Sequence, residues 1–147
     1  MVTIRKIGLA CDHAGYRLKE AVKKHLKEAG YEVVDFGTDS NQSVDYADFA
    51  HPLAEAVEQG KLDRGVTLCG SGNGISMVAN KHQGIRGAIC WNEEITRLAR
   101  EHNDANVCSL PARFLSEDEA FRIVDLFMST GFEGGRHKRR IDKIPYK

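Results

Sequence analysis

Five short apolar runs punctuate the chain: Ile7-Gly8-Leu9-Ala10-Cys11, Tyr31 to Phe36, Gly65 to Cys69, Gly87-Ala88-Ile89-Cys90-Trp91 and Val107 to Leu110. Runs this short and this continuous are expected of strands buried on both faces. Helical spacing fills the gaps. Leu18, Ala21, Val22 and Leu26 recur up to Gly30, a C-cap, and Phe49, Leu53, Ala56 and Val57 share one face between Ala47 and Gln59. Ile75, Met77, Val78 and Ala79 begin a short helix, and Asn92 can cap one carrying Ile95, Leu98 and Ala99. Ser116 and Glu119 form a capping box for a helix to about Ser129 with Ala120, Ile123, Val124 and Phe127 on its apolar face. Strands alternating with helices predict a single-domain α/β protein with a doubly wound, mostly parallel five-stranded sheet. For 147 residues the flavodoxin-like order 2-1-3-4-5 is expected. Residues 1–131 read as the α/β domain, and 132–147 as a basic tail or helix of the same domain.

That order places the topological switch point between strands one and three, where ligands bind beyond the strand ends. Asp12-His13 ends strand one, and Cys69-Gly70-Ser71-Gly72-Asn73-Gly74 ends strand three. The three glycines allow positive φ and close approach of a ligand. A loop feeding a helix N-terminus aims unpaired N–H groups at an anion, and a thiol there becomes a better base or nucleophile. The loop fits neither G-x-G-x-x-G nor the P-loop. A cysteine-phosphatase loop would need Arg at position 75, where Ile75 stands. The loop alone reads equally as a Gly-rich turn beside a structural Cys.

Lys+Arg and Asp+Glu both number 21, which speaks against a protein that coats nucleic acid. No apolar run approaches the ~18 residues of a membrane span, and the N-terminus has no signal-peptide core. Cys11, Cys69, Cys90 and Cys108 form no C-x-x-C, so buried reduced thiols and a cytoplasmic location are expected. His102 lies in a polar turn, as an acid/base or a surface His. Arg136 and Arg140 are four apart and could clamp one phosphate from one helix face, or belong to a solvated basic tail. The Gly134-Gly135 hinge would let that tail reach a neighbouring subunit. Tyr46 is a pocket residue or a helix-entry aromatic, and Arg113, beyond strand five, a second anion contact or a surface Arg.

Taken together, Cys11-Asp12-His13-Ala14-Gly15, Val44-Asp45-Tyr46, Cys69 through Ser76, Ala79-Asn80-Lys81, Gly84-Ile85-Arg86, His102 through Val107 and Glu133-Gly134-Gly135-Arg136-His137 resemble the B-type ribose-5-phosphate isomerases, within the ribose- and galactose-phosphate isomerase superfamily. The resemblance spans essentially the whole chain. It implies interconversion of ribose 5-phosphate and ribulose 5-phosphate in the non-oxidative pentose phosphate pathway, through a cis-enediolate, without metal or nucleotide cofactor. Cys69 matches the proton-accepting base, and Ser71 a hydroxyl, often Thr in the family, that relays the proton between O1 and O2. His102 matches the ring-opening group, helped by Asp12; Asn103 contacts the enediolate or sugar, and the amides from Gly70 through Gly72 and Asn73 to Gly74 hold the developing charge. His13, Arg113, Arg136 and Arg140 match phosphate and sugar contacts, and Tyr46 a pocket wall. Some members carry a Glu base after the loop; Ile75 and Cys69 make this chain resemble the cysteine type. The family's sites lie between subunits, so a homodimer or a dimer of dimers is expected, with a phosphorylated sugar as ligand and neither nucleic acid nor membrane as partner. The alternatives are an allose- or galactose-6-phosphate isomerase and a flavodoxin-like binding module.

Overall fold

All five apolar runs are strands of one parallel sheet in the computed structural model, which describes residues 3–146. Met1, Val2 and Lys147 lie outside the described residues, and with them the outer ends of the two segments read from the sequence. The chain runs β1 (Lys6–Cys11), α1 (Tyr16–Glu28), β2 (Glu32–Asp35), α2 (Tyr46–Glu58), β3 (Arg64–Cys69), α3 (Asn73–Ala79), β4 (Gly87–Ile89), α4 (Glu93–Asn103), β5 (Val107–Pro111), α5 (Glu117–Ser129) and α6 (Arg136–Ile141). A 3-10 turn, His13–Gly15, joins β1 to α1.

The α/β class and the parallel sheet are as expected. The strand order corrects the expectation in its last two members: it is β2-β1-β3-β5-β4. β5 is buried at every residue, whereas β4 has three residues, all only partly buried. The shorter, wetter strand loses less at an edge. β5 also carries Ser109 opposite Thr67 of β3, their hydroxyls 2.7 Å apart, so two buried polar groups satisfy each other. Right-handed crossovers then dictate the layers. The chain moves the same way along the sheet from β2 to β3 and from β3 to β4, so α2 and α3 cover one face with Leu53, Ala54, Val57 and Ala79. It moves the other way from β1 to β2 and from β4 to β5. The opposite face accordingly carries α1, α4 and α5, packed through Leu18, Val22, Leu26, Ala99, Ile123, Val124 and Phe127. The exchange of β4 and β5 leaves the switch point between β1 and β3 untouched.

Local signals set the element ends. Gly30 takes φ +98° just past α1. The capping box is formed in full: Glu119 N–H donates to Ser116 Oγ (3.1 Å), and Ser116 N–H to Glu119 Oε1 (2.9 Å). Lys19 departs from the polar face of its helix. Lys19 is fully buried, its Nζ donating to both oxygens of Asp35 (2.7 Å each) and to the Thr38 carbonyl (2.7 Å). It ties α1 to the chain leaving β2. The basic segment packs on its own chain, with the Glu133 N–H on the Glu101 carbonyl at 3.0 Å and Ile141 only 7% exposed, so the glycine pair turns α6 back toward α4. Among the described residues no helix is long and apolar enough to cross a membrane.

Candidate active site

β1 and β3 run side by side, pairing Cys11 with Leu68, and end at the same edge of the sheet. Beyond them opens a cleft of about 510 Å³ lined by Asp12, His13, Tyr46, Cys69, Gly70, Ser71, Gly74 and Arg113, together with Ala14 and Phe114. Eight residues expected at a site thus meet in one cleft. Phe114, 75% exposed on its rim, carried no sequence signal beyond its place next to Arg113.

Short hydrogen bonds hold the cleft in shape. Asp12 Oδ1 accepts from the Ala14 and Gly15 N–H groups (3.0 and 3.2 Å), which leaves Oδ2 for a ligand hydroxyl. The Val44 N–H donates to His13 Nδ1 (3.2 Å), so a neutral His13 ring carries its proton on Nε2. The Arg113 N–H donates to the Gly70 carbonyl (3.0 Å), laying the Arg113 side chain over the loop. A Cβ on Gly70 would come within 3.0 Å of Arg113 Nη1, and one on Gly74 within 2.5 Å of the Tyr46 ring. Both glycines let these side chains rest directly on the backbone, most tightly at Gly74 under the Tyr46 ring. Gly72 takes φ +79° as the N-cap of α3, where Asn73 begins, and its missing Cβ would sit 3.3 Å from the backbone of Leu110. Neither Gly72 nor Asn73 lines the cleft.

All four cysteines are free and buried. Cys11 and Cys69 both end strands at this edge but differ in setting. Cys11 is fully buried, its thiol directed at the Thr38 carbonyl (3.9 Å), and burial pushes its pKa up to about 12. Cys69 keeps 5% of its surface exposed, and that surface faces the cleft. Ile75 is fully buried under the loop against Ala50 and Cys69, so no acid/base group projects from that position.

His102, Asn103, Arg136 and Arg140 are not in the cleft. The Nε of Arg86, the residue before β4, donates to the carbonyls of Asn103 (3.2 Å) and Asp104 (3.0 Å), which places the end of α4 at the strand-entry edge. About 17 Å of β3, at about 3.3 Å per residue, separates that edge from Cys69. Buried arginines make the far edge rigid. Arg100 donates to the carbonyls of Thr130 (3.0 Å) and Ala105 (2.6 Å), and pairs with Asp104. Arg64 donates to the Phe127 carbonyl, and burial together with Arg100 lowers its pKa to about 10. On this base His102 stacks on His137, ring centroids 4.3 Å apart. Glu133 Oε1 lies 3.7 Å from His102 Nε2 and 3.4 Å from His137 Nε2. These three residues form a group of metal-ligand type among the described residues, one ligand atom of each lying within 4.8 Å of the others. Glu133 and His137 belonged to a sequence motif without a role of their own; their i,i+4 spacing was the available signal. Arg136 and Arg140 are exposed on α6 beside this group.

A thiol, a carboxylate, a hydroxyl and a basic side chain beside a glycine loop suit proton transfer on a small anionic ligand. Comparison with known proteins identifies the family. Residues 7–144 match the family model described as Ribose/Galactose Isomerase. Ribose-5-phosphate isomerase B of Escherichia coli is 42% identical over 141 residues, 96% of this chain and 95% of that protein. The solved ribose-5-phosphate isomerase B of Clostridium thermocellum superposes with a TM-score of 0.94 at 51% identity, covering 95% of each chain. That of Mycoplasma genitalium, solved with bound ribulose-5-phosphate, superposes with a TM-score of 0.92 at 42% identity, over 97% of this chain and 95% of its own. Fold and site thus define a sugar-phosphate isomerase. The chain belongs to the ribose/galactose isomerase family.

Proposed function

We propose that this protein interconverts ribose 5-phosphate and ribulose 5-phosphate, that Cys69 carries the proton, and that each site is completed by a second copy of the chain. The observation that carries the reading is the convergence of Cys69, Ser71, Asp12, His13 and Arg113 on one cleft at the switch point. His102 opens the sugar ring, with Asp12 Oδ2 taking part. The Cys69 thiolate removes the proton from C2 of the open aldose. Electrons shift onto O1, the N–H groups of the loop hold the enediolate, and Ser71 gives its proton to O1 and takes one from O2. The Cys69 thiol then returns its proton to C1, giving the ketose. Tyr46 walls the pocket, and Asn103 bonds the enediolate or sugar.

Two copies are required because the groups of this mechanism stand at opposite edges of one rigid sheet. A symmetric pair can set the α4–α6 end of one copy over the cleft of the other, and do so twice. Arg136 and Arg140 would then join His13 and Arg113 on the phosphate.

The test is EDTA-treated protein mixed with ribose 5-phosphate, run beside Cys69→Ala. Formation of ribulose 5-phosphate by the first and not by the second supports substrate and base together. Full turnover by the variant removes Cys69 from the role. An inactive parent protein overturns the substrate, and allose and galactose 6-phosphates are then assayed.

A further inference from the structure

The Asn73 backbone N–H and side-chain Nδ2 both donate to Ser71 Oγ, at 3.2 and 3.1 Å. A serine hydroxyl has two acceptor lone pairs and one O–H donor. Both lone pairs are occupied inside the loop, so the O–H is the bonding capacity left for a ligand, and it points away from Asn73. Asn73 itself borders a separate shallow hollow with Met77 and Lys81. Whatever its side chain does for the reaction passes through Ser71.

We infer that the Asn73 side chain is a positioning residue, holding the Ser71 hydroxyl in the rotamer from which it relays the proton between O1 and O2. The inference rests on the isomerase reading and deepens it. Serine lacks the branched methyl that restricts χ1 in threonine, so an unrestrained Ser71 would sample three staggered wells. The amide supplies the missing restraint. It also supplies charge stabilisation. When Ser71 hands its proton to O1, its oxygen gains negative charge, and two N–H donors already aimed at it hold that charge until the O2 proton arrives. The balance is closed: one proton leaves Oγ, one returns to it, and no other reactant is needed.

Three variants and an isotope readout test this. Asn73→Ala removes one donor and the rotamer restraint. It should lower kcat roughly 10- to 100-fold, as expected of a displaced reacting group, with KM for ribose 5-phosphate retained. Asn73→Asp keeps the shape but offers an acceptor that draws the Ser71 O–H toward itself, so it should lose at least as much kcat while its thermal unfolding stays close to that of the parent. Adding Ser71→Thr to Asn73→Ala should restore most of the lost kcat, because the methyl replaces the restraint. With ribose 5-phosphate deuterated at C2, Asn73→Ala should return more washed-out aldose per ketose formed than the parent, since Cys69 still exchanges the carbon-bound proton while the oxygen relay lags. A loss confined to KM, full kcat in Asn73→Asp, no recovery in the double variant or an unchanged washout ratio each overturns the inference. A parent protein inactive on ribose 5-phosphate overturns the isomerase reading instead, and is seen before any variant is compared.

Discussion

The two edges of the sheet are built by different means. At the strand-exit edge the cleft has a floor of glycine loop, short polar caps and a barely exposed thiol, walled by His13, Tyr46, Arg113 and Phe114. At the strand-entry edge the groups proposed for the reaction are long side chains on α4 and α6, braced by the buried arginines Arg64 and Arg100 and by Arg86. The first edge has the close, fixed spacing that the proposed proton transfers require. The second carries the long, positively charged side chains that the proposed reading assigns to the phosphate. A rigid sheet keeps them apart within one molecule, and symmetry is the device that can join them.

The largest expected effect lies at the first edge. Cys69→Ala should cost at least 10²- to about 10⁴-fold in turnover, the range for a lost acid/base group, with a circular dichroism spectrum like the parent's. A more direct way to break the contrast mixes two impaired variants. Each symmetric hybrid of Cys69→Ala with His102→Ala contains one site with both groups intact. Unfolding and refolding the two together at equal amounts should therefore recover roughly a quarter of parental activity on ribose 5-phosphate. No gain above the separate variants would show that the two edges do not complete each other.

Arg136→Ala combined with Arg140→Ala should raise KM for the sugar phosphate by about 10-fold or more while kcat is largely kept, the loss expected for charge-assisted bonds. An unchanged KM would remove the second edge from phosphate binding. Lys19→Met tests the support under the first edge. It should lower stability by about 3 kcal/mol in urea unfolding, the low end for a broken buried pair, because Asp35 keeps 24% of its side chain exposed. Its pH dependence has a definite sign. Burial pushes the Asp35 carboxyl up, but Lys19, Lys23 and the Gly37 N–H outweigh it and hold the pKa below the ordinary value. The stabilisation is therefore present above the unfolded pKa of about 3.9 and is lost as pH falls below it. In Lys19→Met that acid-range loss should shrink. The smallest effect is Ser116→Ala, about 1 kcal/mol of stability with unchanged activity, since the capping box lies outside both half-sites.

What the sequence determined by itself is local. Short apolar runs and helical spacing set the strands and helices to within a residue or two, the largest strand difference being β4, which stops at Ile89 rather than Trp91. Gly30, Asn92 and the Ser116–Glu119 pair set their ends, because each signal acts over a few residues. The cleft was legible for the same reason. Cys69, Ser71 and the glycines are contiguous, and the switch-point rule brings Asp12 and His13 beside them whichever way β4 and β5 are ordered. The tertiary structure decided what depends on competition between distant segments. β5 won the inner place because it buries fully and brings Ser109 to Thr67. Lys19 left the polar face of α1 because Asp35 and Thr38 together accept its charge. The proposed role of His102 comes from its motif alone. Its position at the far edge, stacked on His137, followed from the direction in which α4 returns across the parallel sheet.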